Sequence, residues 1–213
     1  AHKDARAAGT VIKKSFRETF AYIKSESVAL FAISSIAIGH LVMVAVMVMT
    51  PVHMKHVDVT LQVIGFVISI HVLGMYAFSP VVGNLTDKLG PVRVIQLGVA
   101  ILLTSTVVSG TASADNAIQL GIGLFLLGIG WSCTLIAGST LLSESVSDEM
   151  RPSSQGTSDL TMNLMGAAGG AVAGLIIGLL NYGWLCYFAS IPVVALGVWS
   201  SRIKRGKHVE SVE

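Results

Sequence analysis

The chain has 213 residues, of which 53% are hydrophobic and 12% charged, about half the charged share of an ordinary soluble domain. So few charges could not clothe the surface of a water-soluble globule, so water is not its main solvent. The net charge of +2 is too small for a nucleic-acid partner, and Lys and Arg are not interleaved with aromatic residues as a single-strand binder needs.

The chain opens Ala1-His2-Lys3, and its first 26 residues hold no hydrophobic core of the kind a signal peptide has. That predicts a fragment, or a chain from which something upstream was removed. Residues 10 to 24 place Ile12, Phe16, Phe20 and Ile23 on one helical face with Lys13, Lys14, Arg17 and Lys24 around the rest. Two readings stand: a helix lying in the membrane interface, or a linker whose short sample happens to show a period of 3.6.

Uncharged runs then cover residues 27–54, 59–86, 94–114, 116–143 and 160–201. A spanning helix needs roughly 20 apolar residues, so the first four make one helix each and the last must fold back on itself. Asn181-Tyr182-Gly183 is the expected turn. The prediction is an all-α integral membrane protein with six spans, at 27–52, 60–84, 93–113, 117–143, 157–180 and 183–201, followed by a tail over 202–213.

The basic residues alternate between loops. Thirteen of the 14 Lys and Arg fall before the first span, between second and third, between fourth and fifth, and after the sixth. Only Lys55 lies on the other side. The positive-inside rule therefore places both ends of this segment in the cytoplasm, and Tyr182, Trp184 and Tyr187 near the outer headgroups, with Tyr22 and Trp199 near the inner ones.

Within the spans, Pro51, Pro80 and Pro192 each free a carbonyl one turn earlier, at Met47, Tyr76 and Phe188, and predict bends. Pro51 lies near the outer end of its span and Pro80 near the inner end, where a gate would sit; a bend without a function is the other reading. No Asp, Glu, Lys or Arg lies deep in any span. His40 and His71 do, and an ionisable group in the membrane is a site hypothesis by default, against the structural use of a neutral histidine bonded to a neighbouring helix. Counting from the outer ends, the two lie at similar depth and could share one substrate or proton site. Met43 and Met47 follow His40 at i+3 and i+7, as a polarizable lining or as gap fillers. Gly166, Gly170, Gly174 and Gly178 recur at steps of four, a spacing that lets helix backbones approach in a membrane. Cys133 and Cys186 sit in spans without metal-ligand spacing, and no metal or cofactor is expected.

Between the second and third spans stands Gly83-Asn84-Leu85-Thr86-Asp87-Lys88-Leu89-Gly90-Pro91-Val92-Arg93. It resembles the signature loop of the major facilitator superfamily, G-x-x-x-D-[RK]-x-G-[RK]-[RK], through Gly83, Asp87, Lys88 and Gly90. Pro91 and Val92 depart from the pattern and Arg93 arrives a step late, as in the weaker copy between helices eight and nine of that family. Gly128-Ile129-Gly130-Trp131, Ala137-Gly138-Ser139, Leu141-Leu142, Gln155-Gly156 and Asp159 look like helices ten and eleven of bacterial drug-exporter-like members. The resemblance covers residues 27–201 and implies the C-terminal six-helix half of a twelve-helix transporter, its N-terminal half the partner, with residues 1–26 as the link. It further implies a protein of the plasma (inner) membrane that is not an enzyme. The expected function is proton-coupled export of small apolar molecules by alternating access. The alternatives are a facilitator importing sugars or organic acids, and a self-contained six-helix channel or membrane enzyme.

Overall fold

The computed structural model describes residues 15–203. They form eight helices: α1 Phe16–Ser25, α2 Ser27–Lys55, α3 Leu61–Tyr76, α4 Ser79–Leu89, α5 Pro91–Gly110, α6 Ala117–Ser145, α7 Arg151–Leu179 and α8 Tyr182–Arg202. There is no strand among the described residues. With α3 and α4 counted as one broken span over Leu61–Leu89, six helical stretches are long and apolar enough to cross a bilayer. The chain is a multi-pass membrane protein.

The ends of the elements are set by local chemistry. Ser15 and Glu18 form a capping box on α1, each side chain bonded to the other's backbone N–H. Asn116 and Asn181 cap α6 and α8 by accepting from the N–H of Gln119 and Trp184. Proline stands in the first turn of α4, α5 and α7, where its missing N–H is no loss.

Several expected boundaries move. The stretch containing Gly83, Asp87 and Lys88 is helical through Leu89, and the turn into α5 is Gly90 alone, with φ +83. Only glycine adopts that backbone without strain. The last pair of spans turns at Leu180–Asn181, with Tyr182 and Gly183 already helical, and α7 begins at Arg151 rather than 157 because its first two turns need no apolar length. Among the three prolines, only Pro80 accompanies a break, at Ala77–Phe78; α2 and α8 continue through Pro51 and Pro192.

Helices α2 and α6 form the buried centre. Helix α6 is flanked by α5 and α3, α2 by α7 and α8, and α5 and α8 close the far side. The α3/α6 crossing is unusually close: a β-carbon on Gly128 would come 2.5 Å from the His71 carbonyl oxygen and 2.7 Å from the Met75 nitrogen. Such backbone approach is how helices gain dispersion contact where lipid gives no hydrophobic drive. By contrast α2 and α3 scarcely touch, so a wedge opens between them with α6 as its floor.

Helix α1 lies against α7 and α2. Its apolar residues divide: Ile23 and Thr19 are buried, while Phe16 and Phe20 stack on each other, centroids 5.8 Å apart, and remain exposed. Ile12, Lys13 and Lys14 of the expected interfacial face lie outside the described residues, as do residues 204–213 of the tail.

Candidate substrate-binding face

At the mouth of the wedge, three side chains from three helices meet. The indole Nε1–H of Trp131 on α6 donates to Nδ1 of His40 on α2 at 3.1 Å. The ring of Tyr76, at the end of α3, meets the other side of the indole edge-on, with centroids 6.0 Å apart and planes at 79°. At 100° per residue, Trp131 falls on the strip of α6 between the side used by α2, marked by Thr134 and Gly138, and the side used by α3, marked by Gly128. It therefore bridges the wedge rather than filling a helix interface.

His40 is half-buried, and its other edge rests over α7. A β-carbon on Gly166 would lie 2.6 Å from its Cδ2 and 2.8 Å from its Nε2. Met47 is half-buried on the same face of α2, whereas Met43 is turned into the core and is 3% exposed. The two methionines thus separate, one towards the open face and one as packing.

His71 is not brought to His40. It is fully buried, and its Nδ1–H donates to the Leu124 carbonyl at 2.8 Å. Leu124 and Trp131 stand seven residues apart on α6, two turns or ~10 Å along the axis, so the two histidines serve different levels of the bundle. The Nε2 of His71 has no partner among the described residues.

The glycine stripe also divides. Gly166 packs on His40, Gly170 and Gly174 make only ordinary contact with Val44 and Met49, and Gly178 has no neighbour there among the described residues. Their open side continues through Gly156, Asn163, Ala167 and Ala171, all exposed. On α3, Gln62, Gly65, Ser69, Val72 and Tyr76 share a second exposed face at helical spacing. A small-residue face on α7 and a mixed face on α3 thus flank the His40–Trp131–Tyr76 mouth. In the signature stretch, Gly83 likewise has no neighbour within 4 Å of a β-carbon among the described residues. Asp87, Lys88 and Arg93 are exposed, and Asp87 makes no ion pair among the described residues.

Polar ties hold the ends. At the end of the bundle away from α1, the Tyr182 hydroxyl and Thr50 Oγ1 share a 2.8 Å hydrogen bond, and the ring stacks on His53 at 4.4 Å. Tyr182 is thereby buried inside the bundle, not in an aromatic belt; Trp184 and Tyr187 are the exposed pair. At the other end Gln155 Nε2 donates to the Ser139 carbonyl and Ser143 Oγ, and Arg151 Nε to the Ser143 carbonyl, joining α7 to α6. Among the described residues no cluster of His, Cys, Asp and Glu could hold a metal ion.

Trp131 was legible in the sequence only as part of a family likeness, and Tyr76 only as the carbonyl that Pro80 frees. An aromatic residue in mid-span beside two glycines was the available signal for the first.

The sequence profile of the Major Facilitator Superfamily matches residues 29–212. Two relatives from Bacillus subtilis (strain 168), both described as uncharacterized MFS-type transporters, are similar to the chain. YddS is 37% identical over 171 residues, covering 78% of this chain and 38% of its own length. YdeG is 40% identical over 166 residues, covering 75% and 38%. The chain therefore spans less than half the length of these relatives. The profile match, over the six spans that frame the His40–Trp131–Tyr76 mouth, and these likenesses establish that the chain belongs to the Major Facilitator Superfamily of membrane transporters.

Proposed function

We propose that this chain is the C-terminal part of a proton-driven exporter of small apolar molecules, working by alternating access in the plasma membrane with the α1 side in the cytoplasm. The observation that carries the reading is the uncharged mouth between α2 and α3, lined by Trp131 and Tyr76 and holding one basic side chain, His40, with the half-buried Met47 two turns further along the same face of α2. An apolar ligand loses little on leaving water for such a lining, whereas an ion would be stranded there. A partner half would cover the exposed faces of α3 and α7, close the mouth and rock against it. Glycine and alanine on the α7 face offer little interlocking to oppose the motion. Charge supports the orientation: Arg17, Lys24, Lys88, Arg93, Arg151 and Arg202 all lie at the α1 end, and Lys55 lies opposite.

The test uses inverted membrane vesicles containing this chain co-expressed with the matching N-terminal part. An imposed inside-acid gradient should drive uptake of the neutral dye N-phenyl-1-naphthylamine, and collapsing the gradient should stop it. This chain expressed alone should give none. Uptake indifferent to the gradient, or equal from the chain alone, would overturn the reading.

A further inference from the structure

An indole N–H can only donate. Since Trp131 Nε1 lies 3.1 Å from His40 Nδ1, Nδ1 must present its lone pair, and in the neutral ring the proton then sits on Nε2. Trp131 thus selects the tautomer of His40, as the hydrogen bond at one ring nitrogen generally decides the state of the other. Nε2 has no hydrogen-bond partner among the described residues and is not one of the fully buried unpaired atoms, so although this ring edge rests on the bare α7 backbone at Gly166, the N–H keeps an accessible side. A donor free of partners, on a half-buried ring beside an indole that itself meets Tyr76, is a recognition group.

We infer that His40 is the specificity-determining residue of this face: a hydrogen-bond donor, fixed at Nε2 by Trp131, for uncharged ligands that carry an acceptor oxygen on a flat apolar body. The inference rests on the transport reading and narrows its substrate class. The flat body follows from Trp131 and Tyr76, whose rings offer a face and an edge. The absence of charge follows from the neighbours: α6 presents Trp131 to His40, α7 presents Gly166, and α3 presents Tyr76 beyond the indole, with no Lys, Arg, Asp or Glu among them. An anionic acceptor would be buried without a counter-charge. A ligand that can only donate finds no lone pair at His40, because Nδ1 is already occupied.

The experiment uses the chain labelled with nitrogen-15 at His and Trp, in lipid nanodiscs at pH 8, with resonances assigned through His40→Gln and Trp131→Phe. The probes are benzophenone, which has a carbonyl oxygen, and diphenylmethane, which has the same two rings and no acceptor. The expected result is an Nε2–H, bare-Nδ1 imidazole at His40, and an Nε2–H resonance that moves with benzophenone and not with diphenylmethane. Benzophenone should bind about fivefold more tightly, the factor one net hydrogen bond supplies. In Trp131→Phe, with helicity unchanged by circular dichroism, both the single tautomer and the fivefold preference should be lost. An Nδ1–H imidazole in the parent chain, equal responses to the two probes, or no response to benzophenone would overturn the inference. If the tautomer and the preference stand while vesicles show no gradient-driven dye uptake, the transport reading falls and this one remains. If uptake is seen and the probes act alike, the reverse holds.

Discussion

Gly166 is the seat of the His40 imidazole: a β-carbon there would lie 2.6 Å from Cδ2 and 2.8 Å from Nε2 of the ring. The neighbour in conflict is a rigid ring already held by Trp131, so it cannot step aside as a flexible side chain would. Gly166→Ala should therefore destabilise the bundle by about 1–3 kcal/mol, the usual cost of overpacking, and reduce transport further by displacing His40. Gly178→Ala meets nothing among the described residues and should leave thermal unfolding within about 0.5 kcal/mol of the parent. Thermal denaturation of the two variants in detergent, followed by circular dichroism, compares them; equal shifts would show that the stripe acts as one packing surface.

A second prediction concerns the tie at the end away from α1. Tyr182→Phe removes the hydroxyl bonded to Thr50 while keeping the ring stacked on His53, and Thr50 retains its bond to the Val46 carbonyl. The loss should be about 1 kcal/mol, the net worth of one buried hydrogen bond. Tyr182→Ala should cost about 3–5 kcal/mol because it also opens a cavity. Matching losses from the two substitutions in a denaturation series would mean the ring contributes nothing, contrary to its burial.

These two cases show what the sequence could and could not reveal. The six spans were legible because charge interrupts apolar runs at nearly every loop, and the bilayer permits little else. Their ends were less so: Asp87, Lys88 and Arg151 lie on helices because α4 and α7 extend past the apolar region, where charge no longer signals a boundary. Tyr182 was assigned to a headgroup belt by a preference that holds for aromatic residues in general, and the buried Thr50 hydroxyl overrode it at this site. The histidines illustrate the same limit. Depth along a helix can be counted from a sequence, but rotation cannot, and rotation sends His71 to the Leu124 carbonyl and His40 to Trp131. Trp131 was visible in its glycine-rich setting, yet nothing along the chain links it to a residue 91 positions away.

For the signature stretch, Asp87 is exposed and without an ion-pair partner among the described residues, and Gly83 leaves an open approach beside it. Both features suit a contact with the proposed N-terminal half. Asp87→Asn should therefore leave membrane abundance near the parent value and lower the dye-uptake rate at least about tenfold, equivalent to ~1.4 kcal/mol of a lost charged contact. An unaltered rate at equal abundance would reduce this stretch to a helix end.

Orientation has its own test. In a background lacking Cys133 and Cys186, single cysteines at positions 55 and 181 should react with an impermeant thiol reagent on intact cells, while those at 87 and 148 should react only after permeabilisation. These positions lie at opposite ends of the bundle. Labelling at 148 from outside would invert the topology proposed from the basic residues.

The central claim is that His40 is the proton- and ligand-responsive group of the transport cycle. A proton taken up at Nδ1 removes the lone pair that Trp131 uses, so the α2–α6 tie holds in the neutral form and is released as pH falls through the titration of the imidazole. The elements packed around His40 present Trp131, Gly166 and, beyond the indole, the Tyr76 phenol, with no Asp, Glu, Lys or Arg among them to mask that titration. Glutamine in its place can still accept from Trp131 and still donate through its amide, but cannot gain a proton. The measurement is initial dye-uptake rate against pH, from about 5.5 to 8, for the complete transporter and its His40→Gln variant at equal membrane abundance and equal imposed gradient. A parent rate that changes across this range and a variant rate that is nearly flat is the predicted result; a variant curve of the same shape, merely scaled, would contradict it.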